Sequence, residues 1–216
     1  MDKDVREACY WFPNTGYLLK ELDKEALAPI WEEVNEIRSD WSKARPHNYG
    51  LAGSIRKEYT LTKCKDYVEK LVLPYIALYD RGFNYSRGIN LLSAPAPLVI
   101  DDNDLWVNFQ EKHEFNPPHN HSGIMSFVIW LQIPYFLVHE ALEGPGSESN
   151  SPVNGDFAFQ YTNSLGQIQA QRLGADRSKE NHLVLFPAQM NHAVYPFYSS
   201  NDYRITVAGN FRFKNG

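Results

Sequence analysis

Five side chains in this 216-residue chain have types and spacings that could do chemistry: His119, His121, His192, Arg204 and Thr206. The first two sit in Asn116-Pro117-Pro118-His119-Asn120-His121-Ser122-Gly123, just before an apolar run from Ile124 to Pro134. In an extended segment, residues i and i+2 face the same way. Both imidazoles should therefore point at one spot, and converging imidazoles point to a metal. A metal held on one face needs a third ligand from elsewhere. His192 supplies it, because the apolar run Leu183-Val184-Leu185-Phe186-Pro187 ends in a turn that delivers a histidine to the start of the next strand.

Twelve residues beyond His192 comes Arg204-Ile205-Thr206-Val207-Ala208-Gly209-Asn210. Period two places Arg204, Thr206, Ala208 and Asn210 on one face, with Ile205 and Val207 on the other. An inward arginine is costly without an anion. A ligand carboxylate would satisfy it, with help from the Thr206 hydroxyl. Each residue also has a plainer reading. His47, His113, His139 and His182 read as structural or surface histidines, and Arg204 by itself reads as a salt-bridged edge residue. Asn108 reads as a strand-edge hydrogen bonder, Trp106 and Trp130 as core, and Cys64 as a small helix residue. Gln110, Tyr135 and Tyr161 could line a cleft, but nothing in the sequence singles them out.

These side chains must be held by a sheet. Helical spacing of Ala26, Leu27, Ile30, Trp31, Val34 and Ile37 predicts a helix within 21–38, opening near Pro29. A second helix runs from Thr62 to Gly82, with Pro74 inside it. Residues 8–18 read as a short strand and turn, and 41–60 as loop with a short strand. After Asn84 the period becomes two, and strands are expected at 89–92, 105–110, 124–133, 157–161, 182–186 and 203–213. The fold class is mainly β with N-terminal helices: a double-stranded β-helix, or jelly roll, flanked by helices on one face. One domain is expected over 1–216, with 1–83 as helical support and 84–213 as jelly-roll core.

Composition narrows the function classes. A net charge of −5 gives no global field for nucleic acid or anionic membrane. Aromatic residues at 14% suit a sheet with a large aromatic core or cleft. Two cysteines, Cys9 and Cys64, form no disulfide framework. With no apolar leader and no long apolar run, the expected location is the cytoplasm.

His119, His121, His192 and Arg204-x-Thr206 together resemble the Fe(II)- and 2-oxoglutarate-dependent oxygenases. Residues 106–134 and 192–213 resemble a group known mostly from bacterial and phage genomes, whose members carry a His-x-His before an apolar strand. The resemblance covers roughly residues 84–213. It implies His119 and His192 as metal ligands and Arg204 and Thr206 as the clamp on the co-substrate carboxylate; Asn108, from its place in Trp106-Val107-Asn108-Phe109-Gln110 before the metal motif, is read as a further co-substrate contact. His121 completes the metal set but stands where the superfamily usually has Asp or Glu. Glu111, His113 and Glu114 are close enough in sequence to be alternative ligands. Another alignment makes His121 the first ligand and Gly123 the open position of a halogenating site.

The implied cofactors are Fe(II) and, as co-substrate, 2-oxoglutarate; the implied enzyme is a dioxygenase that hydroxylates a C–H bond. Its expected partners are O2 and a small-molecule or peptide substrate, not nucleic acid or membrane, with homodimerisation left open. Two rivals remain. A cupin-type three-histidine protein would match Pro187 and His192 but has no use for Arg204-x-Thr206. A non-catalytic jelly-roll binding protein would have kept the fold without the chemistry.

Overall fold

The structure, a computed structural model, describes residues 14–47, 53–85 and 97–214. The strand expected at 89–92, and Cys9, Trp11 and Phe12, lie outside the described residues.

The chain opens with β1 (Leu18–Glu21), a 3-10 turn at Lys24–Leu27 and helix α1 (Ala28–Ser39). Pro29 lies in the first turn of α1, where its missing N–H costs nothing. Strand β2 (Glu58–Thr60) and helix α2 (Lys65–Phe83) follow. Glu33 of α1 caps the start of α2 from outside, accepting the backbone N–H groups of Thr62, Lys63 and Cys64 at 2.8, 3.0 and 2.8 Å. The left-handed Asn84 (φ 52°) ends the helix. The remaining elements are β3 (Leu98–Val99), β4 (Leu105–Gln110), β5 (Asn116–His119), β6 (Met125–Gln132), α3 (Leu137–Glu140), β7 (Phe157–Thr162), β8 (Ile168–Arg172), β9 (His182–Pro187), β10 (Asn191–Val194) and β11 (Arg204–Phe213).

Two antiparallel sheets result. The larger runs β1-β9-β6-β11-β4-β2, with β3 paired to the end of β11, and the smaller runs β5-β10-β7-β8. The expected mainly-β architecture with N-terminal helices is therefore present. Side-chain parity in the large sheet separates two tasks. Leu105, Val107 and Phe109 of β4, Phe127, Ile129 and Leu131 of β6, and Ile205 and Val207 of β11 pack in one apolar cluster with Ile30, Val34, Val68 and Val72 of the two helices. Each such side chain contributes about 1.5–3 kcal/mol on burial. The alternate residues face the small sheet, where Trp130, Phe157, Phe159, Val184 and Phe186 form a second cluster between the layers. Among the described residues, no helix is long and apolar enough to cross a membrane.

Candidate metal centre

His119 is the last residue of β5, and its Cα partner across the ladder is His192 of β10. That pairing brings their rings to 4.3 Å between centroids. His121 is not on the strand, as its spacing had suggested, because β5 ends at His119. The chain there turns towards β6, and the His121 N–H donates to the Ala188 carbonyl at 2.8 Å. The ring still converges on the other two, at 5.0 Å from His119 and 5.1 Å from His192. One nitrogen from each of the three rings lies within 4.8 Å of the others.

The hydrogen bonds set which nitrogens face inward. His119 Nδ1 lies 2.7 Å from the Pro117 carbonyl, and His192 Nδ1 lies 3.0 Å from the Met190 carbonyl. A carbonyl only accepts, so both Nδ1 atoms carry hydrogen and both Nε2 atoms keep a lone pair for a ligand. His192 also stacks on Phe157 at 5.4 Å and meets Phe186 at 4.9 Å. Burial, reinforced by His119, pushes His121 down to about 4. Burial, reinforced by His119 and His121, pushes His192 down to about 3. Burial also lowers His119. Three neutral imidazoles thus face one point at neutral pH, and this donor set fits a divalent transition ion such as iron.

A cleft of about 490 Å³, counted to its open mouth, connects the triad with Asn108, Arg204 and Thr206. Arg204 is 2% exposed. Its Nη1 donates to the Tyr135 hydroxyl at 2.6 Å and to the Gly155 carbonyl at 2.8 Å. Its Nε is buried with no partner among the described residues. Asn108 and Thr206 are Cα partners on β4 and β11, and Asn108 Nδ2 donates to Thr206 Oγ1 at 3.1 Å. The Thr206 hydroxyl hydrogen therefore remains available to a ligand. A buried guanidinium with an open donor, beside a free hydroxyl, fits the carboxylate of a co-substrate.

Trp106 and Trp130, expected in the core, are buried but line this cleft. His47 stacks on Trp106 at 5.0 Å. Glu111, His113 and Glu114 stand outside the triad. Glu111 and Glu114 pair with Lys57 and Arg56, and His113 meets the edge of Tyr198. Gly123 has a backbone reason to be glycine: its φ is +118°, and a Cβ would lie 2.8 Å from the Phe211 carbonyl oxygen. Tyr135, named from the sequence only as a residue that could line a cleft, instead supports Arg204. Its link to Arg204 spans 69 positions, beyond any local pattern.

Residues 104–210 match the family model described as "Putative 2OG-Fe(II) oxygenase". No curated protein matches the sequence. The fold is similar to a Pseudomonas putida prolyl-4-hydroxylase at TM-score 0.54 and 13% identity, covering 98% of this chain and 97% of that one. It is also similar to a Trichoplax adhaerens prolyl hydroxylase solved with a hypoxia inducible factor peptide, at TM-score 0.54 and 11% identity, covering 92% and 84%. A Burkholderia pseudomallei oxidoreductase of the 2OG-Fe(II) oxygenase family gives TM-score 0.50 at 14% identity, covering 99% and 88%. The matched region runs from the strand that carries Asn108 to the strand that carries Arg204 and Thr206, with all three histidines between them, and this region belongs to the Fe(II)- and 2-oxoglutarate-dependent oxygenases.

Proposed function

We propose that this enzyme hydroxylates a C–H bond of a second substrate while O2 and 2-oxoglutarate become succinate and CO2. One oxygen atom goes to the new hydroxyl and the other to succinate. The family's cofactors are Fe(II) and 2-oxoglutarate. When bound, the iron supplies the activation of O2. His119, His121 and His192 are assigned as its ligands, on the observation that their nitrogens converge with both known Nδ1 atoms tied back to carbonyls.

The rest of the site orients and excludes. Arg204 and the Thr206 hydroxyl receive the far carboxylate of 2-oxoglutarate, and Asn108 acts with Thr206 by fixing which way that hydroxyl points. Phe157, Trp130 and Val128 line the cleft and keep water from it. The alternation of strands 4–11 between two sheets supports a double-stranded β-helix, and we assign the whole chain to one domain. The buried Arg204, which a cupin would not need, favours this reading over a three-histidine cupin.

Adding Fe(II) and 2-oxoglutarate without O2 tests the proposal. A visible charge-transfer band is expected, followed by substrate-dependent succinate release in air. No band with stoichiometric metal bound would sink it. Proline-containing peptides come first in the substrate screen, because two fold neighbours are named prolyl hydroxylases.

A further inference from the structure

Among the described residues, β8 is an unprotected edge of the small sheet. It pairs there only with β7, in an unbroken register from Ala158↔Arg172 to Thr162↔Ile168. Sheet edges are usually blunted by proline, a bulge or lysine. Ile168-Gln169-Ala170-Gln171-Arg172 has no proline and no lysine, and its one charged side chain, Arg172, donates through Nε to the buried Asp156 at 2.9 Å. The edge is also pre-formed. The Asn163 side chain closes the hairpin by accepting the N–H groups of Leu165 and Gln167, both at 3.0 Å. Leu165 and Ile168 beside that turn are 79% and 80% exposed.

A groove lies along this edge. Gln171 is the Cα partner of Phe159, so both side chains point to the same side of the sheet. With Tyr17, Tyr161, Met190 and residues 14–16 they line a groove of about 630 Å³, counted to its open mouth, with no charged side chain among the described residues. It shares no lining residue with the cleft that contains Arg204, but it backs onto His192. Phe159 is the Cα partner of His192, with the rings 6.4 Å apart, and the Met190 carbonyl holds His192 Nδ1.

We propose that β8 and this groove form a docking site for an extended peptide, which adds a strand to the small sheet and seats an aromatic or large aliphatic side chain in the groove. Edge and groove call for the same ligand. The edge offers a row of backbone N–H and C=O groups, which another extended backbone matches. Side chains of an added strand alternate, so those on the inner side pass Gln171 into an uncharged, aromatic-lined space. A second copy of this chain fits less well. Pairing β8 with β8 would offer only Gln169 and Gln171 to the groove, and the aromatic lining leaves their amides poorly satisfied.

Fluorescence polarisation on the full chain, with the labelled and end-blocked pentapeptide Thr-Val-Phe-Val-Thr, tests this. Saturable binding is expected, weakened about tenfold or more when the central Phe is replaced by Glu, which would carry a charge into the groove. Successive N–H groups of a strand face opposite sides, so N-methylation at the Phe and at the following Val should act unequally. One should weaken binding about tenfold and the other by less than about twofold. Equal losses, or no saturable binding by any such peptide with Phe, Tyr, Trp or Leu at its centre, would overturn the proposal. Gln171→Lys should abolish peptide binding and leave Mn(II) affinity unchanged; unchanged peptide binding would put the peptide elsewhere and overturn it. A dimer in sedimentation that Gln171→Lys loses would make a second copy the occupant. Tighter binding of a synthetic copy of residues 1–13 than of any pentapeptide would make it a segment of this chain. Either result overturns the assignment to an external peptide. Peptide and Mn(II) are titrated separately, so failure here is distinguishable from failure of the metal assignment.

Discussion

At the residue scale, His121 is the proposed ligand that distinguishes this site. With three imidazoles the bound ion keeps its full charge, whereas a carboxylate at 121 would cancel one unit. His119 and His192 are each anchored through Nδ1 to the carbonyl two residues earlier. His121 is anchored through its backbone N–H instead. Replacing it should therefore change the proposed metal site without loosening the other two histidines. His121→Ala is expected to weaken Mn(II) binding by at least ~100-fold, since one coordinating nitrogen is lost. His121→Asp should bind the ion more tightly than His121→Ala, because it returns an anionic donor at a position that already faces the site. Competitive titration against a chelator measures both. Equal affinities for the two variants would mean that position 121 does not reach the ion. Arg204→Ala should weaken 2-oxoglutarate on the order of 100-fold, the usual cost of removing one partner of a buried charged pair.

At the element scale, β2 brings a buried acid to the edge of the large sheet. Glu58 is 3% exposed and is the Cα partner of Asn108, so its side chain shares the cleft-facing side of the sheet. Burial, with the nearby Glu114 adding to it, raises Glu58 from 4.5 to about 8. The folded chain then holds a proton between those two values that the unfolded chain has released, so stability falls as pH rises through this window. Glu58→Gln keeps the shape and removes the titration. It should flatten the urea midpoint between about pH 5 and pH 8 and make the variant the more stable form, by roughly 1–3 kcal/mol, at the alkaline end. A wild-type midpoint that does not fall over that range would refute the burial argument.

The same scale shows what the sequence could disclose. Alternation in Arg204-Ile205-Thr206-Val207 put Arg204 and Thr206 on one face and the apolar pair on the other, and β11 does this. The apolar runs that became β4, β6 and β9 were equally legible, because both faces of those strands are buried. Strand β8 was missed. Ile168-Gln169-Ala170-Gln171-Arg172 lies on the sheet edge, largely exposed, so it carries no apolar run, and its alternation rests on one Ile and one Ala alone. β5 was implied by the His-x-His spacing but given no bounds, because its two prolines, which an edge strand tolerates, break the strand pattern. The convergence of His119 with His121 was anticipated, but from the wrong geometry, because the turn after β5 and the Ala188 contact depend on residues far along the chain. The contacts of Tyr135 and Gly155 with Arg204 were unreadable for the same reason: they exist only once β11 lies against them.

At the scale of the whole molecule, the two sheets contribute different halves of the site. The small sheet and the turn after β5 carry the histidines, while Arg204, Thr206 and Asn108 belong to the large sheet. A metal ion held by the three histidines, as proposed, would tie together β5, β10 and the turn before β6. On the proposed assignment, 2-oxoglutarate held by the ion at one end and by Arg204 at the other would connect the two layers. The two ligands should therefore stabilise the fold unequally and in order. Mn(II) at about 100 times its Kd should stabilise the native state by about 2.7 kcal/mol and raise Tm accordingly. Without metal, 2-oxoglutarate has only the Arg204 end to hold and should shift Tm little. With metal present it should add a further shift of comparable size, and Arg204→Ala should lose this second increment while keeping the first. Differential scanning fluorimetry over the four combinations reads all of this. If 2-oxoglutarate stabilises the metal-free protein as much as the loaded one, the two sheets do not share the co-substrate, and the division of the site between them is wrong.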